Sequence, residues 1–413
     1  MEQTNSKAEA LLEQGMDYIE NDAVDQGLPY LKQAAELGLL EAQGMYLATL
    51  LELSEDSDKD YTKEIKKCVE WIRTAAINGN PEGQEMLGEI YSEGVGVPEN
   101  QETAVKWYRK AALQGNADAQ CCLGQCYCFG KGVAENDAEA IKWFQKAAEQ
   151  GEAYAQYYLG EYYYLGKGVA ENDAEAVKWF QKAANQEHAG AQYYLGECYY
   201  LGRGVAENDA EAVKWLQKAA EQGNADAQTL LATCYFRGNG VLEDERKAAS
   251  LYQKAANQGH AEAQYWLGNC YRFGWGIKKD PRKAIEWYKK SMDNGYYEFN
   301  IYDSISFVLY DIIFEMKKIG TSFQKIARSK ELAEGIQYAE YAINHFDCEN
   351  AEDGDIYITL AELYRYKNLD RALDYAEHAV ALGVEDANET LKSLRLANGT
   401  FGNIGRFLSG IFD

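Results

Sequence analysis

Proline is scarce in this chain, with four in 413 residues. That excludes a proline-rich linker protein and favours uninterrupted helices. Histidine is as rare. The four, at positions 188, 260, 345 and 378, are scattered, and none stands in a recognisable arrangement with a nucleophile. Basic residues are in deficit, 41 against 66 acidic ones, for a formal net charge of −25. Phosphate binding needs clustered lysine and arginine, so nucleic acid is not an expected partner. A basic protein or peptide suits the charge better, and the same charge keeps the chain in solution. No stretch reaches the roughly 18 apolar residues of a membrane helix, so no membrane role is expected. The opening MEQTNSKAEALLEQGMDYIEND lacks the basic start and apolar core of a secretory signal. Nine cysteines, an odd number, are therefore expected as reduced thiols of a cytoplasmic protein. The GKGV segments lack the G-x-x-x-x-G-K-[ST] pattern of a phosphate-binding loop. No cofactor and no enzymatic activity are expected.

What the chain has in abundance is repetition. Leu87-Gly88 recurs as Leu123-Gly124, Leu159-Gly160, Leu195-Gly196, Leu231-Ala232 and Leu267-Gly268, always 36 residues on. Tyr91, Tyr127, Tyr163, Tyr199, Tyr235 and Tyr271 keep the same step. So do Trp71, Trp107, Trp143, Trp179, Trp215 and Trp287, with Leu251 in the one gap. A constant period over this length is the signature of a solenoid, in which each unit packs on its neighbours.

Each unit reads as two helices. In the unit around Leu159, helix A is expected from about Ala155 to Leu165, with Ala155, Leu159, Tyr163 and Gly166 on one stripe. Gly166 ends it, because glycine takes the left-handed conformation at low cost. NDAE (Asn172 to Glu175) resembles a capping box and opens helix B. Helix B is expected to bury Ala176, Trp179, Phe180, Ala183 and Ala184. Asp280 followed by Pro281 marks another helix start. Residues 156–191 and 192–227 differ at seven positions, which indicates recent duplication within the array.

These residues resemble the Sel1-like repeat family, a branch of the tetratricopeptide superfamily. The pattern A-x-x-x-L-G-x-x-Y-x-x-G-x-G-V stands at Ala119 to Val133, and W-[YF]-x-K-A-A at Trp143 to Ala148. The resemblance implies an all-α, right-handed superhelical solenoid of antiparallel helix pairs in 36-residue repeats. Residues 1–80 read as degenerate repeats, 81–295 as the regular array, and 296–413 as a helical C-terminal cap. The acidic linker Ser54 to Glu64 reads as a mobile insertion. Within the last region, Ile301 to Gly320 reads as an apolar helix and Leu360 to Gly383 as one tetratricopeptide-type pair. The tail from Ala397 to Asp413 carries Ile404, Phe407, Leu408, Ile411 and Phe412 at helical spacing, as a cap or as a docking helix for a partner or membrane. A cysteine-rich branch of the family bridges helix B to the next helix A. This chain has Ala148 and Gln156, and Ala184 and Gln192, at those positions, so the resemblance implies no such disulfides here.

In family folds helix A lines the concave surface. The resemblance therefore places a ladder of Tyr157, Glu161 and Tyr164, then Tyr193, Glu197 and Tyr200, with Phe236 and Tyr265 further on, in a groove. Tyrosine offers broad contact with a polar tip, and the glutamates attract lysine or arginine that also stacks on the rings. The expectation is a non-enzymatic scaffold that holds a protein or peptide segment of basic and apolar character. The competing use of these tyrosines is packing between adjacent A helices. The loop acids Glu135, Asp137, Glu171, Asp173, Glu207 and Asp209 form a second ladder, explained by capping and solvation or by a basic surface or cation. Cys126, Cys198, Cys234 and Cys270 share one register position and are expected as small buried side chains. Cys121 to Cys128, CCLGQCYC, has neither C-x-x-C nor histidine, so no metal is expected. Two other readings stay open: a regulatory effector acting outside its own cell, and a hydrolase, which would need clustered serine, lysine or histidine.

Overall fold

In the computed structural model the described residues are 2–21, 23–56, 59–297, 299–346 and 354–397. Among them every regular element is a helix, and they form two compact units, Met1–Asn208 and Asp209–Asp413. The first unit holds α1 (Glu2–Glu20), α2 (Val24–Glu36), α3 (Leu40–Asp56), α4 (Thr62–Ile77), α5 (Pro81–Glu93) and α6 (Gln101–Leu113). It continues with α7 (Ala117–Phe129), α8 (Asp137–Glu149), α9 (Ala153–Leu165), α10 (Asp173–Asn185) and α11 (Ala189–Leu201). Ser54 to Asp56, expected in the acidic linker, extend α3 instead, and Thr62 to Glu64 begin α4; Ser57 and Asp58 lie outside the described residues.

The periodic landmarks have separate jobs. Each regular A helix starts behind a capping side chain: Asn80, Asn116, Glu152 and His188 accept from the backbone N–H three residues on. Each ends at a glycine with positive φ, as at Gly166 (+64°). Asn172 caps α10 by accepting from Glu175 N at 3.1 Å, but the capping box is one-sided, because the Asn172 N–H donates to Tyr163 O at 2.8 Å while the Glu175 carboxylate pairs with Lys178 at 2.8 Å. The A helix begins at Ala153, two residues earlier than expected. On α10 the buried residues are Ala176, Val177, Phe180, Ala183 and Ala184; Trp179 is only half-buried. Its ring carries the Lys182 ammonium, 3.8 Å from the ring centroid, and Val177 is buried on the same helix.

Small residues set the helix spacing. A Cβ on Gly160 would lie 2.4 Å from the Phe180 ring, and one on Gly124 would lie 2.7 Å from Phe144. A buried glutamine then locks each repeat to the one before. Gln120 Nε2 donates to Ala112 O at 3.1 Å, and its Oε1 accepts from Gln150 Nε2 at 2.8 Å. Gln84 with Gln114 and Gln156 with Gln186 do the same. The carbonyls they bond lie at the ends of B helices, where Ala112 O also accepts from Gly115 N at 3.1 Å, so the amide fills the second lone pair.

The second unit holds α12 (Asp209–Glu221), α13 (Ala225–Arg237), α14 (Glu245–Asn257), α15 (Ala261–Phe273) and α16 (Pro281–Asp293) in the same pattern. Then come α17 (Phe299–Lys318), α18 (Phe323–Ala327), α19 (Lys330–His345), α20 (Asp355–Tyr364), α21 (Leu369–Leu382) and a helical run at residues 387–397. Asp280 caps α16 with Pro281 in its first turn, as expected. The non-repetitive helices finish the core: Ala284 and Tyr288 of α16 join one buried cluster with Ile305 and Leu309 of α17, Ile336 of α19, Leu360 of α20 and Leu394. The apolar face of the last repeat is thereby covered, as a terminal cap requires. Of the expected tail helix, all but Ala397 lies outside the described residues. Among the described residues no helix is long and apolar enough to cross a membrane.

Candidate protein-interaction face

The A helices of the first unit carry the candidate site. Tyr157 and Glu161 on α9, and Tyr193, Glu197 and Tyr200 on α11, are half-buried. Tyr164 is buried, at 7% exposure, and its ring lies under the Arg203 guanidinium at 3.8 Å. The structure brings the ladder together through its polar tips. Glu197 accepts from Tyr193 on its own helix at 2.7 Å and from Tyr164 on the preceding A helix at 2.8 Å. Glu161 accepts from Tyr194 at 3.3 Å and from Tyr157. The aromatic floor beneath is Tyr194 stacked on Phe180 at 5.0 Å and Tyr158 on Phe144 at 4.7 Å. Tyr157 stacks on His188 at 4.6 Å, and Tyr154 stands 57% exposed beside the same imidazole. The competing expectation, packing between adjacent A helices, is thus physically present in Tyr164, Tyr194 and Tyr158.

Burial raises the Glu161 carboxyl above the ordinary glutamate range, although the two tyrosine hydroxyls partly offset it. The Tyr157 hydroxyl is raised by burial and by the same carboxylate. One feature of this face was not foreseen. Glu85 and Glu89 of α5 meet Cys122 of α7, with one donor atom from each lying within 4.8 Å of the others. Burial and the neighbouring Glu89 and Asp118 push the Glu85 carboxyl up to about 8, and burial raises Glu89 as well. Burial also raises the Cys122 thiol, so it stands as a neutral S–H. Among the described residues, these three have donor atoms placed for a cation. The sequence sought ligands for Cys122 within its own helix, whereas its neighbours come from the preceding repeat.

The loop acids behave differently. Lys167 reaches back to Asp137 at 3.2 Å and Glu135 at 3.7 Å, and Arg203 to Asp173 at 2.8 Å and Glu171 at 2.9 Å. Each basic residue sits in the G-[KR]-G-V turn of the following repeat. The second acidic ladder is matched internally at these two steps, and the shared 36-residue register of the two charges was the available signal. Cys126, Cys198, Cys234 and Cys270 are buried free thiols, as expected. The histidines serve structure: Nδ1 of His188 and of His260 accept from Ala191 N and Ala263 N as helix caps, while His345 stacks on Tyr341 and His378 lies against Tyr357. In the second unit, Phe236 packs on Trp275 at 4.7 Å and Tyr265 stacks on Tyr296 at 5.3 Å.

The Sel1 repeat model matches residues 10–39, 81–116, 117–152, 153–188, 189–224, 225–260 and 261–296. Among solved structures, c5321, a protective antigen present in uropathogenic Escherichia coli strains and displaying an SLR fold, is 27% identical. That match covers 96% of this chain and 90% of the other, with a TM-score of 0.60. A Sel1 repeat protein from Oxalobacter formigenes is 34% identical over 59% of this chain and 96% of its own, with a TM-score of 0.52. No curated protein matches the chain. With the repeat matched seven times over more than half of its length, and with paired helices closing each repeat on the last, this chain belongs to the Sel1 repeat family.

Proposed function

We propose that the protein is a non-catalytic, cytoplasmic interaction scaffold that holds a segment of a partner protein against the A-helix face of its first unit. The observation that carries this reading is the chemistry of the acids there. Glu161 and Glu197 are held by tyrosine hydroxyls, and Glu85 and Glu89 by each other, whereas the loop acids Asp137 and Asp173 are paired with Lys167 and Arg203. A lysine or arginine of a bound segment would supply the missing positive charge, and apolar side chains beside it would lie on Tyr154, Tyr157 and Tyr193. Tyr164 serves as the floor. Phe236 and Tyr265 would offer apolar contact of their own on the second unit, taken by itself. Nucleic acid is disfavoured by the same acidity.

The test is binding of labelled peptides that pair lysine or arginine with aromatic residues, measured by fluorescence anisotropy. Glu85→Gln with Glu89→Gln, and separately Tyr157→Ala with Tyr193→Ala, should each weaken binding about tenfold, the worth of about 1.4 kcal/mol, with helicity unchanged by circular dichroism. Equal binding by parent and both variants would remove this face from the function. The likeness to a protective antigen favours a second reading, a regulatory effector acting outside the cell. Its detection in culture medium, rather than in the cell pellet, would select that reading.

A further inference from the structure

Five B helices carry tryptophan at one register position: Trp107, Trp143, Trp179, Trp215 and Trp287. Three residues on in each, a lysine ammonium lies over the ring. It stands 3.7 Å from the centroid for Lys110, 4.2 Å for Lys146, 3.8 Å for Lys182, 4.5 Å for Lys218 and 4.0 Å for Lys290. The rings have a common seat. Trp143 lies in one buried cluster with Leu123 and with Ala112 of the preceding B helix, and Tyr127 packs against that cluster. Trp107 and Tyr91 pack against the cluster that holds Leu87 and Ala76, and Trp287 and Tyr271 against the one that holds Leu267 and Ala256. A leucine, a tyrosine and an alanine thus form the seat, an indole fills it, and a lysine closes it. Helix α14 is the exception. Leu251 stands at its tryptophan position, and beside it is a hollow of about 260 Å³. Leu231, Tyr235, Ala220 and Lys254 line it, and these are the same four register positions. The seat and its lysine are kept while the ring is absent.

We propose that this hollow is a docking seat for the indole ring of a tryptophan presented by a partner protein. The other repeats fix the chemistry of the occupant, because the group that fills their seats under a lysine is an indole. Its size fixes the source. The hollow is smaller than the roughly 300–1,000 Å³ that encloses a drug-sized ligand. It therefore takes one ring and leaves the rest of the ligand on the surface, as a single anchoring side chain of an interface does. Lys254 would cover the ring as its counterparts cover theirs. Gln217 and Glu221, which also line the hollow, offer oxygen acceptors for the indole N–H. Lys247 forms part of the wall, 5.0 Å from the Tyr235 ring centroid and 4.0 Å from Asp244. This seat belongs to the second unit and does not depend on the binding face proposed for the first.

The experiment uses the full chain and a capped serine–tryptophan–serine peptide whose indole carries fluorine, followed by fluorine NMR. The parent should broaden the signal saturably. Leu251→Trp fills the seat, so it should weaken binding roughly tenfold and raise the melting midpoint. Lys254→Ser, at an exposed position, should weaken binding about threefold, the worth of an exposed cation–π contact, with helicity unchanged. Lys218→Ser, over an occupied seat, should leave binding as it is. The proposal is overturned if the parent gives no broadening, or if parent and Leu251→Trp bind equally. It is also overturned if a leucine peptide competes as well as the tryptophan peptide, because the seat would then not select an indole. Free fluoroindole binding as tightly as the peptide would overturn the partner and assign the hollow to a small molecule. Should Leu251→Trp fail to fold, the Lys254→Ser comparison decides, and equal binding there sinks the idea.

Discussion

Glu187 has φ +65° and sits in the turn after α10, where the other regular repeats have Gly115, Gly151, Gly223 and Gly259, with φ from +88° to +101°. An L-residue in the left-handed region costs about 1–2 kcal/mol, of which glycine's greater unfolded-state freedom returns about 0.4–1. The side chain is exposed, so little contact is lost. Glu187→Gly should therefore raise the melting midpoint by about 2 °C, measured by thermal circular dichroism; a lower midpoint would show that the glutamate contributes a contact of its own. A second residue-scale outcome concerns pH. The folded protein keeps Glu85 protonated up to about 8, whereas its ordinary value is 4.5. Between those values the folded state holds the extra proton, so this group makes stability fall as pH rises. Glu85→Gln should flatten that slope, melting higher than the parent at pH 8 and equal to it near pH 4.5. The positive φ was legible by aligning repeats, since one glutamate stands among glycines. The raised Glu85 carboxyl was not, because its main cause is burial, which the i, i+4 spacing of Glu85 and Glu89 does not reveal.

Among the elements, the turn between A and B helices does more than reverse the chain. Its second glycine lies against the previous B helix, where a Cβ on Gly240 would be 2.4 Å from Asp209 O. That closeness lets the preceding turn residue reach the acid at the helix start, as Lys167 reaches Asp137 and Arg203 reaches Asp173. At the next step the turn residue is Asn239, and the Asp209 Oδ1 atom is buried without a hydrogen-bond partner. Asn239→Lys should complete the missing bridge and add about 0.5–1 kcal/mol, diminished in high salt, as measured by urea denaturation. No gain at low salt would mean that the ammonium prefers solvent. Helix positions and their caps were readable from the sequence because glycine, asparagine and the apolar stripe are local signals. Helix rotation was read less well. Trp179 stays half-buried, and Tyr164 is buried with the following repeat's Arg203 over its ring, a contact that needs the fold in space. Gln120 ties α6 and α7 to the end of α8 through its amide, a role that needs its partners' positions in space.

At the scale of the whole molecule, the near-identity of neighbouring repeats makes one of them removable. Deleting residues 153–188 would join Glu152 to Ala189 and put α11 where α9 now sits. Glu152, which caps α9 through Ala155 N, would cap α11 through Ala191 N. Gln192, now bonded to Ala184 O at 3.2 Å, would take Ala148 O, which Gln156 holds at the same distance. Tyr194 would stack on Phe144 as it now does on Phe180, and Arg203 would meet Asp137 in place of Lys167. Of the contacts that α7 and α8 now make with α9, one has no substitute. Tyr162 donates to Asp137 at 3.0 Å, and Cys198 stands at its register position. The shortened chain should therefore fold with unchanged helicity per residue and a denaturant slope lower by about a tenth, in line with the surface removed. It should lose about 1–3 kcal/mol beyond the loss of one repeat, from the missing hydrogen bond and the space left by the ring. Adding Cys198→Tyr to the deletion should recover most of that. A deletion of residues 153–184, four residues out of register, exchanges every one of these contacts for a mismatch and should not give a cooperative transition. If both deletions unfold alike, the repeats are not interchangeable and nearest-neighbour packing is not what sets this fold.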